Sequence, residues 1–80
     1  MRLTCLMGDF GTKVIEVDEN DELNVLMGKL DLTDKNTKFV FKGQTYAIFQ
    51  SRTFKDIGLI SDTNIFINNQ AISGEKYIND

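Results

Sequence analysis

The chain has 80 residues, a formal net charge of -3, 41% hydrophobic and 26% charged residues, no histidine and one cysteine. That is room for a single small domain with one core; it excludes a disordered composition, an internal disulfide and the basic surplus of a nucleic-acid binder. No run approaches the roughly 20 apolar residues that span a bilayer, and the thinly spread positive charge does not suit an acidic membrane surface.

Arg2 to Met7 alternates in part, with Leu3 and Cys5 on one side and Arg2, Thr4 and Leu6 on the other, as a half-buried strand does. Gly8-Asp9-Phe10-Gly11 then supplies two glycines able to take positive φ, a hairpin turn with room for a bulge. Strand character resumes over Lys13 to Asp18, with Ile15 and Val17 inward and Lys13 and Glu16 outward.

The next stretch, DELNVLMGKLDL from Asp21 to Leu32, is the one segment with a helical period. Leu23, Leu26, Met27 and Leu30 fall at i, i+3, i+4 and i+7, which predicts a helix with one apolar face, capped by Asn20 or Asp21. A helix this short is marginal alone and must pack its stripe onto a sheet. Thr33 to Thr37 reads as the loop that leaves it.

Lys38 to Lys42 is a strand with Phe39 and Phe41 on one side and Val40 on the other. Gly43 turns it into a short edge strand over Thr45 to Phe49. Within Ser51 to Gly58, Phe54 and Ile57 are three apart, which suits a turn of 3₁₀ helix. Asn64 to Asn68 is the last strand, with Ile65 and Ile67 inward and Phe66 outward. Beyond it all periodicity is lost, so the expected organisation is one domain over residues 1–69 and a flexible tail over residues 70–80.

This order predicts an α+β roll in which a mixed sheet of four to five strands packs on one helix. The expected core is Leu3, Cys5, Ile15, Val17, Leu23, Leu26, Met27, Leu30, Phe39, Phe41, Phe54, Leu59, Ile65 and Ile67. Ile48 and Phe49 either extend that core under the following loop, which is the favoured reading, or widen an exposed surface.

Catalytic chemistry has little to work with. There is no histidine, the carboxylates are not clustered near a nucleophile, and Cys5 faces inward as a structural thiol. Asp31, Asp34 and the acidic run from residue 18 to 22 lack metal-loop spacing, and no glycine-rich phosphate loop opens the helix. The expectation is therefore no enzyme, no cofactor and no metal. Lys35, Lys38 and Lys42 form a loose basic group that reads as a solvated face. MRLTCLM is too short an apolar run for a signal peptide, and with the lone cysteine it points to a reducing compartment, cytoplasmic or nuclear.

Over Met1 to Gly74 the chain resembles ubiquitin and its relatives. The resemblance is carried by the first hairpin with its Gly11-Thr12 turn, the acidic lead into the helix, and the stripe of Leu23, Leu26 and Leu30. Phe41-Lys42-Gly43-Gln44, Thr53-Phe54-Lys55-Asp56 and the strand Ile65-Phe66-Ile67 complete it in order. It implies a β-grasp (ubiquitin-like) fold. The departures are a shorter loop after the helix, a longer and more apolar connection through Ala47-Ile48-Phe49-Gln50-Ser51-Arg52, and a C-terminal stretch without the paired glycine.

In that resemblance Val40 matches the central isoleucine of ubiquitin's partner-binding patch and Phe66 the histidine beside it. Gly8 and Asn68 match a leucine and a valine of the patch, so two apolar members are lost; Leu6 and Phe10 are candidates to replace them. The expected partner surface is Leu6, Val40 and Phe66 with Gly8, Asn68 and Lys42 beside them. Its expected partner is a protein of the ubiquitin-receptor, proteasome or assembly-subunit class, with no nucleic acid and no membrane. The alternatives are a covalent modifier processed after Gly74, as some family members end in a single glycine, or a structural subunit akin to the ubiquitin-like proteins of bacterial type VII secretion systems.

Overall fold

The structure is a computed structural model and describes residues 1–68. Five strands form one mixed sheet in the order β2-β1-β5-β3-β4: β1 Arg2–Leu6, β2 Thr12–Glu16, β3 Lys38–Phe41, β4 Gln44–Ala47 and β5 Thr63–Asn68. The central pair β1 and β5 is parallel, and every other neighbouring pair is antiparallel. One helix, α1 Val25–Lys29, lies between β2 and β3 in sequence. The expected α+β roll is present. The tail over residues 70–80, including Gly74, lies outside the described residues.

Alternation in β1 makes the sheet two-sided. Leu3 and Cys5 have no exposed surface, whereas Arg2, Thr4 and Leu6 turn to the other face. Register carries the parity across: Leu3 pairs with Ile15 of β2 and Cys5 with Ile65 of β5, and Phe39 of β3 pairs with Ile67. Together with Leu23, Leu26, Leu30, Phe54 and Leu59 these residues form one core on the helix side. Met27 and Ile67, expected in that core, are half-buried at its margin. Ile48 joins the core as favoured, and Leu32 and Thr37 join it without having been anticipated. The buried Thr37 is satisfied, since its hydroxyl donates to the Asp34 carbonyl at 2.7 Å.

The two hairpin turns use positive φ as their sequences suggest. Gly8 and Gly11, at φ 61° and 81°, bracket a 3₁₀ turn over Gly8–Phe10. Lys42 and Gly43, at φ 51° and 77°, make the two-residue loop between β3 and β4, the arrangement a type I′ turn requires. The expected 3₁₀ turn after β4 is found at Lys55–Ile57 and ends on Gly58 at φ 82°.

Three expectations are corrected. The helix begins at Val25 rather than Asp21, because the preceding residues pair elsewhere. The Leu23 N–H donates to Arg52 O at 2.7 Å and the Asn24 N–H to Gln50 O at 3.3 Å, and Glu22 bridges Thr53 in antiparallel fashion. The Val25, Leu26 and Met27 N–H groups donate to Glu22, Leu23 and Asn24 O, three residues back, so a tighter turn leads into α1, and the Asp21 carboxylate accepts the Asp18 N–H at 2.9 Å rather than capping it. The second correction is Lys13, which pairs with the inward Cys5 and so stands on the helix side, where its ammonium lies 3.7 Å from Asp31. The third is the edge strand, which ends at Ala47, two residues before its expected end at Phe49.

Candidate functional site

On the sheet face away from the helix, register alone builds a line of side chains. Leu6 of β1 pairs with Phe66 of β5, and Phe66 pairs with Val40 of β3. Three apolar residues from three adjacent strands thus stand side by side, about 4.8 Å apart from strand to strand. Thr12 flanks Leu6 and Thr45 flanks Val40, so both ends of the line are polar. Phe66, at its centre, is 59% exposed, while Leu6 and Val40 are half-buried.

A central strand with an exposed phenylalanine is unusual for a physical reason. An antiparallel or mixed sheet with one solvated face normally sets polar residues there, and a cluster of apolar ones raises the free energy of the isolated domain in water. The neighbouring positions obey the rule, with Thr4 and Asn64 paired on the same face. Val14, 55% exposed, pairs with Thr4 and lies diagonal to Leu6. It is a member of the apolar face that the sequence reading missed. The signal was available: with Ile15 inward, strict alternation turns Val14 outward.

The remaining expected site residues are placed less centrally. Asn68, exposed, pairs with Lys38 two residues beyond Phe66, and Gly8 opens the hairpin turn two residues beyond Leu6. Phe10, in the same turn, is 63% exposed. Lys42 sits at the β3–β4 tip with its ammonium 5.4 Å over the ring of the inward Phe41, and so does not join the line. The pair Ile48 and Phe49 divides: Ile48 is fully buried, and Phe49 is 52% exposed beneath the Lys35 ammonium at 5.0 Å.

Nothing in the described residues assembles reactive groups. Among them no cluster of three or more histidine, cysteine, aspartate or glutamate side chains could hold a metal ion. Burial pushes the Cys5 thiol up to about 11, against a smaller opposing effect of the Lys13 charge. The thiolate is the nucleophilic form, so at neutral pH this thiol is inert.

No protein-family model and no curated protein matches the chain. Among solved structures, the ubiquitin-like domain of an Arabidopsis thaliana protein is similar with a TM-score of 0.73 at 15% identity, over 88% of this chain and 77% of that one. At that identity the similarity speaks for the fold alone. The chain has the ubiquitin-like β-grasp fold.

Proposed function

We propose that the domain is a non-catalytic interaction module that docks a protein partner on the line Leu6, Phe66 and Val40. The observation that carries this reading is the register that sets three apolar residues from adjacent strands on the outer face, with Phe66 at the centre 59% exposed. An aromatic at the centre of an apolar patch, ringed by threonines, has the make-up of an interface anchor with a polar rim. Candidate partners are proteins that receive ubiquitin-like folds, the proteasome among them, or a subunit of a larger assembly.

The test is capture of partners by the tagged full chain from its native cells, beside Phe66→Asp, Val40→Asp and Ile60→Asp. Ile60 is just as exposed, at 59%, but precedes the far end of β5. Loss of the same partner with the first two variants and its retention with the third is the expected result. A partner that survives both face variants overturns the reading.

A further inference from the structure

We propose that two copies of the domain pair antiparallel along β2, the one open edge of the sheet among the described residues, and so form a closed two-fold dimer. The inference is independent of the docking reading: it uses an edge of the sheet, with β1 standing between β2 and β5, and leaves Phe66 of both copies exposed.

The phase of the β1–β2 ladder decides which backbone groups face outward. Met1 and Val17 exchange both bonds, the Met1 ammonium donating to Val17 O at 2.7 Å and the Val17 N–H to Met1 O at 3.0 Å. Such pairs alternate along an antiparallel ladder, and the register runs without a bulge from Arg2 with Glu16 to Leu6 with Thr12. Leu3 with Ile15 and Cys5 with Lys13 are therefore bonded pairs. The N–H and C=O groups of Thr12, Val14 and Glu16 point away from β1, and β2 ends the sheet, so among the described residues no strand meets them.

The opposite edge is blunted. The Ile48 N–H donates to Thr37 O at 3.2 Å, in step with the β3–β4 register, so Thr45 and Ala47 are the residues that β4 directs outward. The Ala47 carbonyl is already taken by the Gln50 side-chain amide at 2.6 Å. Among the described residues that leaves Thr45 alone with both groups open, too short a run for a strand to add. With one usable edge, a second copy can meet β2 only through its own β2. The contact is isologous and stops at a pair instead of growing into a filament.

Self-pairing of β2 fits one register. Centred on Val14, it sets Val14 against Val14 and Thr12 of each copy against Glu16 of the other, so all three outward-facing residues of both copies exchange bonds. On the outer face the two Val14 side chains, each 55% exposed in the single copy, pack together across the axis. There each Thr12 hydroxyl meets a Glu16 carboxylate, which Arg2 of its own chain approaches at 3.6 Å. Centring on Lys13 instead would oppose two ammonium groups. An inward lysine commonly deters edge pairing, but the Lys13 ammonium is drawn to Asp31 of its own chain, 3.7 Å away just past α1, and not across the edge. β2 has 5 residues, so the interface is small and the dimer weak.

The experiment is sedimentation equilibrium of the full chain from about 10 μM to about 1 mM, with amide NMR spectra at both ends of that range, where a weak interface populates. The expected result is an average mass that rises from one chain toward two, with concentration-dependent shifts at Thr12, Val14 and Glu16 and none at Thr45 or Phe66. Val14→Pro removes an N–H that the β1–β2 ladder does not use and should abolish the rise. Val14→Asp, which leaves the backbone intact and sets two carboxylates on the axis, should do the same, whereas Phe66→Asp should dimerise as the wild type does. A mass of one chain throughout the wild-type series overturns the inference. So does association that survives Val14→Asp, or that is lost with Phe66→Asp, which would put the contact on the sheet face.

Discussion

Truncation of Ile48 tests whether the long connection after β4 is part of the fold or a loop resting on it. Ile48 has no exposed surface, its N–H donates to Thr37 O at 3.2 Å, and its carbonyl accepts the Gln50 N–H at 2.9 Å. Two and four residues on, Gln50 O and Arg52 O take the N–H groups of Asn24 and Leu23. Ile48→Ala removes three carbons, a transfer loss of about 2.4 kcal/mol at about 0.8 kcal/mol each. The cavity left behind raises this to about 3 kcal/mol, within the usual range of about 2–5 kcal/mol for such changes. Phe49→Ala, at a position 52% exposed, forfeits about half of a phenylalanine's burial, on the order of 1 kcal/mol. In a domain of this size that separates the two melting temperatures by about 8 °C or more. Urea and thermal unfolding followed by circular dichroism measure both. Equal losses for the two variants, or a loss below about 1 kcal/mol for Ile48→Ala, would refute the claim that this side chain holds the connection down.

Phe66→Asp should leave a cooperatively folding protein, about 2 kcal/mol less stable or better, because the side chain is 59% exposed; Phe39→Ala, at 0% exposed, should cost about 3–5 kcal/mol in the same urea titration. Stability should decline at alkaline pH through Cys5. Its thiol is raised from 9.0 to about 11, so the unfolded chain loses the proton first, and the contribution is whole below 9 and gone once pH passes 11. That interval is worth at most about 2.7 kcal/mol, and Cys5→Ala should flatten the alkaline limb of the unfolding free energy against pH. At the 3₁₀ turn, Thr53 Oγ1 accepts the Asp56 N–H at 3.1 Å and the Asp56 carboxylate accepts the Thr53 N–H at 3.0 Å. The Thr53 N–H, and after it the Thr53 hydroxyl, hold the Asp56 carboxyl below its ordinary value, so this support is present above the normal carboxylate range and fades as pH falls through and below it. Thr53→Ala should cost about 1 kcal/mol at neutral pH, with the difference from wild type shrinking in acid.

What the sequence made legible follows from where the determining contacts lie. Strand alternation is local, so the two-sidedness of β1, β3 and β5 and the outward Phe66 could be read directly. The glycine turns and the Thr53-Phe54-Lys55-Asp56 turn are local as well. The helix is shorter than its apolar period because that period is local and the lead-in is not: Glu22 bridges Thr53, and the Leu23 and Asn24 N–H groups, which a helix would leave unpaired, reach Arg52 and Gln50. Nothing in the stretch from Asp21 to Asn24 announces that pairing. The sequence favours core burial for Ile48 and Phe49 together; they divide, Ile48 buried and Phe49 exposed, because an irregular segment has no period that separates adjacent side chains in advance. Lys13 was a different failure. Alternation with Ile15 places it inward, and a lysine near the end of a strand can stand on the core side with its ammonium at the rim.

That contrast bears on the outer face. The burial pattern of β5 follows the period of two, with Ile65 buried and Phe66 exposed, so Phe66 is not a core residue displaced by a bulge or a slipped register. Its neighbours on both sides are aligned with it rather than scattered, and a shift of one residue in β5 would bury Phe66 only by exposing Ile65 and Ile67. Threonine at position 66 would satisfy strand propensity and leave a polar face. Phenylalanine there adds little burial to the folded monomer and exposes more apolar surface to water. Its contribution has to be sought in a contact outside the sheet, which is what docking of a partner on this face would supply.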